Sequence, residues 1–277
     1  MKLSRNSDIY CDVYRNGREE YYSMLKKAGF DAVDLDEFYV PEMYEDGLGL
    51  KRGREITDTV KKCGLEIGQC HAPMPGEFYK KSPDTVEKVI KSMEDCVRVA
   101  SELEIPYTVV HPYIYSWTIP DPDESKTFEF NKEMLTRLCD SAKHTTVCLE
   151  NLPGPRGFIN DGAKMKRMLD SVNGLCACLD TGHLFSVNGK VSDFFMLNGD
   201  KIKALHVHDA ALGTDLHLLP FSGDGDWDDF SDALHNYGYS GTLNSESKFA
   251  RTLPGKIHFQ AEQFEVTVLK TLIKYRG

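Results

Sequence analysis

The sequence predicts a closed (β/α)8 TIM barrel, and three observations point there. Short apolar runs alternate with helical stretches along nearly the whole chain. No glycine-rich phosphate loop follows the first strand candidate, as an open dinucleotide-binding sheet would show. Residues able to ligate a cation or move a proton close one apolar run after another, whereas an open sheet gathers its site at one crevice. A length of 277 residues suits one barrel of this class, so residues 1–277 are read as a single domain.

The elements follow in order. "KLSRNSDIYCD" near the N-terminus is the weakest strand candidate, needed to complete eight. "REEYYSMLKKAG" reads as a helix and "FDAVDLDEF" (Phe30–Phe38) as the next strand. "GLEIGQCHAP" is a strand. The helix "SPDTVEKVIKSMEDCVRVASEL" has Ser82 as its N-cap and Pro83 in its first turn. "YTVVHPY", "TTVCLENLPG", "LCACLDTGH", "KIKALHVHDA" and "GTLNSES" are further strands. Between and after them, "FNKEMLTRLCDSAKH", "GAKMKRMLDSV", "WDDFSDALHNYG" and "FQAEQFEVTVLKTLIKY" carry apolar residues at helical spacing. No linker, low-complexity segment or short repeat interrupts the pattern.

Composition narrows the function classes. Apolar residues make up 41% and charged residues 27%, enough apolar mass for a large core. The net charge of −10, from 33 Lys and Arg against 43 Asp and Glu, repels polyanions and argues against nucleic acid as a partner. The polar opening "MKLSRNSDIYCDVYRNG" does not read as a secretory signal, and no apolar run reaches membrane-spanning length. The expectation is a cytoplasmic protein with no membrane partner, its eight cysteines reduced. The spacing in "CAC" (Cys176 to Cys178) is that of a strand and lacks a partner pair for a zinc ribbon.

The strand ends carry the chemistry. His71 and His111 close the third and fourth strands, Glu150 the fifth, Asp180 and His183 the sixth, His206 and His208 the seventh, and Glu246 the eighth. In a parallel barrel these ends converge on one face. Singly, each has a structural reading: a hydrogen-bonded histidine, or a glutamate in an ion pair. Jointly, apolar runs ending in Glu, Asp-x-x-His, His and Glu are hard to explain by packing. Buried carboxylates need partners, and a divalent cation satisfies several at once.

These residues resemble the xylose isomerase-like barrel superfamily, which holds sugar isomerases and epimerases and also zinc-dependent apurinic endonucleases. The resemblance runs from about Gly29 to the C-terminal helix and rests on "LEN", "LDTGH", "LHVHD", "DLHLLPFSGDGDWDDF" and "YSGTLNSE". It implies a single-metal core of Glu150, Asp180, His206 and Glu246. Three carboxylates and an imidazole suit one divalent metal, Mn²⁺ or Mg²⁺ first, with Zn²⁺ or Co²⁺ as alternatives. The resemblance also supplies counterparts for nine ligands of a trinuclear zinc site: His71, His111, Glu150, Asp180, His183, His206, Asp215, His217 and Glu246.

Two readings therefore stand at this level. The leading one is a divalent-metal-dependent isomerase or epimerase acting on a sugar, a sugar phosphate or another sugar derivative through a metal-stabilised enediolate. Glu150 and Glu246 would be base and acid, and His183 would bind a substrate oxygen or move a hydroxyl proton. The other is a trinuclear zinc phosphodiesterase of the apurinic endonuclease kind; a dehydratase or lyase on an inosose-type sugar would share the first step. The loops favour the small-sugar reading. They are acidic and aromatic, with Phe78, Tyr79, Tyr113, Tyr115 and Trp117 as candidate walls. His71, His111, His208, Asp215 and His217 are then candidate substrate contacts. Arg156 and Lys248 could meet a substrate phosphate or carboxylate. No arginine follows the seventh strand in "DAALGTD", where ketose 3-epimerases of the superfamily usually carry one, which weakens a free-ketose substrate. The pattern leaves room for a homo-oligomer.

Overall fold

The computed structural model describes residues 1–76, 80–116, 121–154 and 158–274. Eight strands form the sheet: β1 (Lys2–Asn6), β2 (Ala32–Leu35), β3 (Glu66–His71), β4 (Tyr107–Val110), β5 (Thr146–Glu150), β6 (Cys176–Asp180), β7 (Ile202–His206) and β8 (Thr242–Ser245). They run in the order β7-β6-β5-β4-β3-β2-β1-β8, and every pairing is parallel. A parallel bridge between Val207 and Ser245 closes the ring, with Val207 N donating to Asn244 O at 2.7 Å. The weak N-terminal candidate is thus a full strand, pairing with both β2 and β8.

The strands alternate in and out. Leu3, Val33, Leu149, Leu179, Leu205 and Leu243 face outward and pack with helix residues such as Leu25, Val60, Val97, Leu135, Met168 and Phe230 in one large core. The barrel lumen holds a small apolar floor of Val109, Cys148, Cys176, Cys178 and Ala204, with Tyr107 packed on it. Asp34, Gln69 and Asn244 join in a buried polar network: the Gln69 and Asn244 amides both donate to Asp34. Hydrophobic outside and polar inside is the division a barrel needs when its lumen leads to a site.

The outer helices include α1 (Asp12–Asn16), α2 (Arg18–Ala28), α3 (Gly49–Lys62), α4 (Pro83–Glu102), α5 (Glu124–Ser141) and α6 (Gly162–Ser171). After β6 come α7 (Thr181–Phe185) and α8 (Val191–Asn198), and then α9 (Trp227–Asn236) and α10 (His258–Lys274). Helix α4 starts as its sequence predicts, with the Ser82 hydroxyl accepting from Thr85 N and Pro83 in the first turn. Several boundaries differ from the sequence reading; β4 stops at Val110 and β7 at His206, so His111 and His208 lie just past their strands. The second strand stops at Leu35, and a 3₁₀ turn runs over Asp36–Tyr39. The sixth stops at Asp180, whose carboxylate accepts from His183 N at 2.7 Å and so starts α7. An aspartate at a strand end that caps a helix turns the chain at once, and His183 lies in that helix.

Candidate metal centre and substrate cleft

The C-terminal strand ends surround a cleft of about 310 Å³. Glu150, on β5, is its central carboxylate. Its Oε2 lies 3.0 Å from His111 Nε2, 3.3 Å from His71 Nε2 and 3.2 Å from His206 Nδ1, and its Oε1 lies 3.2 Å from His183 Nδ1. His206 Nδ1 also faces Glu246 Oε1 at 3.3 Å and Asp180 Oδ2 at 3.9 Å. The structure therefore brings Glu150, Asp180, His206 and Glu246 together on the C-terminal face.

Whether this set fits a cation can be judged from His206. Both of its ring nitrogens are buried and lack a hydrogen bond. Its Nδ1 faces the three carboxylates of Glu150, Glu246 and Asp180 without bonding to any, and a divalent ion would complete that side of the ring. Electrostatics point the same way. Burial lowers the proton affinity of His71, but the hydrogen bond and charge of Glu150 bring its pKa up to about 9. His183, His206 and His208 are likewise raised against burial, by Asp180, by Cys178 with Glu246, and by Asp180 respectively. The carboxylates select positive charge, from protons or from a metal ion.

The two glutamates differ. Burial pushes Glu150 up, but His206 and His111 hold it well below the usual carboxylate range. Burial also pushes Glu246 up; His206 opposes this, and the charges of Glu150, Asp180 and Asp34 leave it raised. One carboxylate thus favours the ionised form and its neighbour retains a proton more readily.

A second group stands beside the first. His183 Nε2 and His217 Nε2 meet Asp215 Oδ1 at 3.5 and 3.3 Å. His208, fully buried, sets Nε2 3.0 Å from Asp180 Oδ2 and stacks on His217 at 4.1 Å. Ligand atoms of His183, His208, Asp215 and His217 lie within 4.8 Å of one another, as do those of His71, His111 and Glu150. Burial and the neighbouring His208 push His217 down to about 3, so its ring is neutral. Burial raises Asp215, but His183 and His217 leave it lowered. His217 holds a left-handed backbone, φ 48°, a strained conformation of the kind found at functional positions.

The loop that carries Asp215 and His217 is pinned by Asp209. Its buried carboxylate accepts from Ala210 N, Gly223 N, Gly225 N and Trp227 Nε1, at 2.9, 2.9, 3.0 and 2.9 Å. Asp209 and Leu218 also pair as an antiparallel bridge.

Several cleft residues lie outside the sequence-derived set. Asp36 accepts from Asn6 Nδ2 at 2.8 Å, and the same amide reaches Glu246 Oε1 at 3.1 Å. Burial, with the charges of Asp34 and Glu246, pushes Asp36 well up. Tyr39 stands edge-on to His71, and Asn151 exchanges two hydrogen bonds with the Asp180 backbone. Of the residues the sequence did single out, Lys248 lines the cleft beside His217. Tyr113 is buried against Phe130 instead of lining the cleft. Arg156, Trp117, Phe78 and Tyr79 lie outside the described residues.

A parallel eight-stranded barrel with histidines and carboxylates converging at its C-terminal end defines a class of barrel built around such a centre. The sequence matches the model of the xylose isomerase-like TIM barrel family over residues 23–263, and the chain belongs to that family. Solved structures share the fold at low identity. D-psicose 3-epimerase of Clostridium cellulolyticum H10, solved with D-tagatose, superposes with a TM-score of 0.77 at 16% identity, covering 99% of each chain. A 3-keto-D-glucoside 4-epimerase of E. coli gives 0.76 at 18%, covering 98% of this chain and 99% of that one. D-allulose 3-epimerase of Methylomonas sp. gives 0.77 at 16%, covering 98% of each. Among curated proteins, the uncharacterized protein y4fM of Sinorhizobium fredii is 39% identical over 75 residues, 27% of this chain and 24% of that protein's length.

Proposed function

We propose that the chain is a divalent-metal-dependent isomerase or epimerase of a sugar or sugar derivative. The observation that carries this reading is the placement of Glu150 and Glu246 within 3.3 Å of one imidazole nitrogen, at the base of a small cleft. The cleft's size is near the lower end of the ~300–1,000 Å³ common for small-molecule sites. Among the described residues, its lining includes Asp8, Asp36 and Asp215 beside three cations, of which Arg251 is paired with Asp8 and Arg5 with Glu262, while Lys248 lies by His217. That lining favours a hydroxyl-rich ligand over a polyanion. The epimerases that share the fold support the same choice.

Glu150, Asp180, His206 and Glu246 would hold the cation. When bound, it supplies electrophilic polarisation of a substrate carbonyl. The chain does the rest. Glu150 and Glu246 move the proton at the carbon next to that carbonyl, one accepting it and the other returning it. His183, held through Nδ1 by Asn151 O at 2.7 Å, presents Nε2 toward Asp215 and the cleft, where it meets a substrate oxygen. Lys248 is placed to meet an anionic substituent.

The test is solvent isotope exchange. Metal-loaded protein in heavy water, given a panel of ketoses, keto-glycosides and their phosphates, should place deuterium beside the carbonyl of at least one. Glu246→Gln should reduce that exchange by at least about 100-fold. Exchange that survives this substitution, or none across the panel, removes the reading. Elimination of water in the same assay marks a dehydratase.

One observation favours a second reading. His71, His111 and Glu150 form one ligand group, and His183, Asp215 and His217 fall within another beside the central set. A trinuclear phosphodiesterase would use all three. Three zinc ions per chain, with cleavage of an abasic-site duplex, would establish it.

A further inference from the structure

Below the cleft, one layer down the barrel, lies a buried network that the proposed chemistry does not yet use. Asp34 on β2 is fully buried. Its Oδ2 accepts from Gln69 Nε2 at 2.8 Å and from Asn244 Nδ2 at 3.1 Å, and His206 Nε2 stands 3.3 Å away. These partners sit on β3, β8 and β7. Gln69 and Asn244 each precede a cleft residue by two positions, His71 and Glu246, and Asp34 so precedes Asp36. Two-residue spacing keeps side chains on one face of a strand, so the network is a floor on which the site rests.

A carboxylate in a barrel lumen is expensive to bury unless a charged or strongly donating partner meets it. Two amides fix where Oδ2 stands, but neither carries charge. His206 is the ionisable group facing that oxygen. Its ring lies stacked beside His71 at 5.9 Å, and its other nitrogen faces Glu150, Glu246 and Asp180. An imidazole between an acceptor below and carboxylates above has one sensible allocation when a cation is held: the proton on Nε2, the lone pair on Nδ1.

We infer that Asp34 is a positioning residue: it holds the Nε2–H of His206 toward the barrel floor and so aims Nδ1 at the cation site. The inference rests on the proposal that Glu150, Asp180, His206 and Glu246 bind a cation. Asp34 itself touches neither metal nor substrate. Its effect passes through the tautomer and ring angle of one ligand.

The experiment measures Zn²⁺ affinity of the full chain by competition with a chromophoric chelator, for wild type, Asp34→Ala and Asp34→Asn. Circular dichroism checks the fold of each. Asp34→Ala should weaken binding by about 10–100-fold, as loss of an outer partner of a ligating histidine commonly does. Asp34→Asn keeps an oxygen where Oδ2 stands and should recover most of that loss. In the Zn²⁺-loaded wild type, the His206 Nε2 proton should exchange slowly with water by NMR, and in Asp34→Ala quickly. Unchanged affinity in Asp34→Ala overturns the inference. Equal weakening in both variants does so too, since charge and not the acceptor would then matter. If Asp34→Ala fails to fold, the wild-type spectrum decides: a slowly exchanging Nε2–H supports the inference, and Nε2 as the ligating atom overturns it. A wild type that binds no divalent cation removes the metal reading as well; failure of the variants alone removes only the role of Asp34.

Discussion

The ring of His208 fills the place where a side chain at residue 182 would stand. A Cβ built on Gly182 would lie 2.0 Å from His208 Cε1 and 2.2 Å from its Nδ1. The glycine in "LDTGH" is therefore a packing requirement of the histidine two residues beyond His206. The ring it admits contacts Asp180 and supports His217. Gly182→Ala should displace His208, destabilise the fold by roughly 1–3 kcal/mol as overpacking does, and lower turnover. Thermal denaturation with an activity assay measures both, and a variant of wild-type stability would show that the ring has room to move.

Asp209 offers a separate test of how the substrate loop is held. Asp209→Ala removes the acceptor of three backbone N–H groups and the Trp227 indole. Leaving buried donors unsatisfied costs about 1–3 kcal/mol each, offset where water enters. The expected outcome is a loss of several kcal/mol, with faster hydrogen exchange across residues 210–225 than in the barrel strands. Exchange confined to wild-type rates in that loop would mean another contact holds it.

How much of this was legible in the sequence follows from where each residue sits. Glu150, Asp180, His206 and Glu246 could be read because each ends an apolar run, and in a parallel barrel all such ends meet. Asp34 and Asp36 stand in "FDAVDLDEF" at the spacing of one strand face, yet alternating polar residues also describe a strand half open to water. Only barrel closure turns that face into the lumen. Asn6 was hidden because β1 is five residues long and its inward positions, Ser4 and Asn6, are polar. Asp209 stands directly after His208 in "LHVHD", where its neighbours are candidate ligands. Its task is set by the turn at Gly223 and Gly225, more than a dozen residues on, and no local pattern shows it.

His217→Ala separates the two functional readings. The side chain falls in the group of His183, His208 and Asp215, while its Nδ1 lies 3.9 Å from Glu246 Oε2 at the edge of the set around His206. A mononuclear isomerase should keep one tightly bound cation per chain and lose mainly substrate affinity or rate. A trinuclear enzyme should lose one of three. Elemental analysis after gel filtration gives the count, and loss of all metal would move the primary centre to the Asp215–His217 loop.

The last prediction concerns stability and pH, through a buried carboxyl behind the cleft residue Arg5. Glu265 on α10 is fully buried, accepts from Ser245 Oγ and lies 3.7 Å from Arg5 Nε. Burial raises its carboxyl; Arg5 opposes this, and Glu262 reinforces it, leaving the pKa raised from its usual 4.5 to about 7. Because the folded-state value exceeds the unfolded one, the folded chain holds an extra proton here between about pH 4.5 and 7. The stabilisation is complete below that window and is lost as pH rises through it. Over the full window it amounts to something on the order of 3 kcal/mol. Glu265→Gln keeps the shape of the protonated form and cannot ionise. Its unfolding free energy in urea, compared with wild type at pH 5 and pH 8, should therefore shift in the variant's favour at the higher pH by about that amount. A difference that stays constant from pH 5 to 8 would mean that Glu265 is already ionised at pH 5, held by Arg5 as an ordinary buried ion pair.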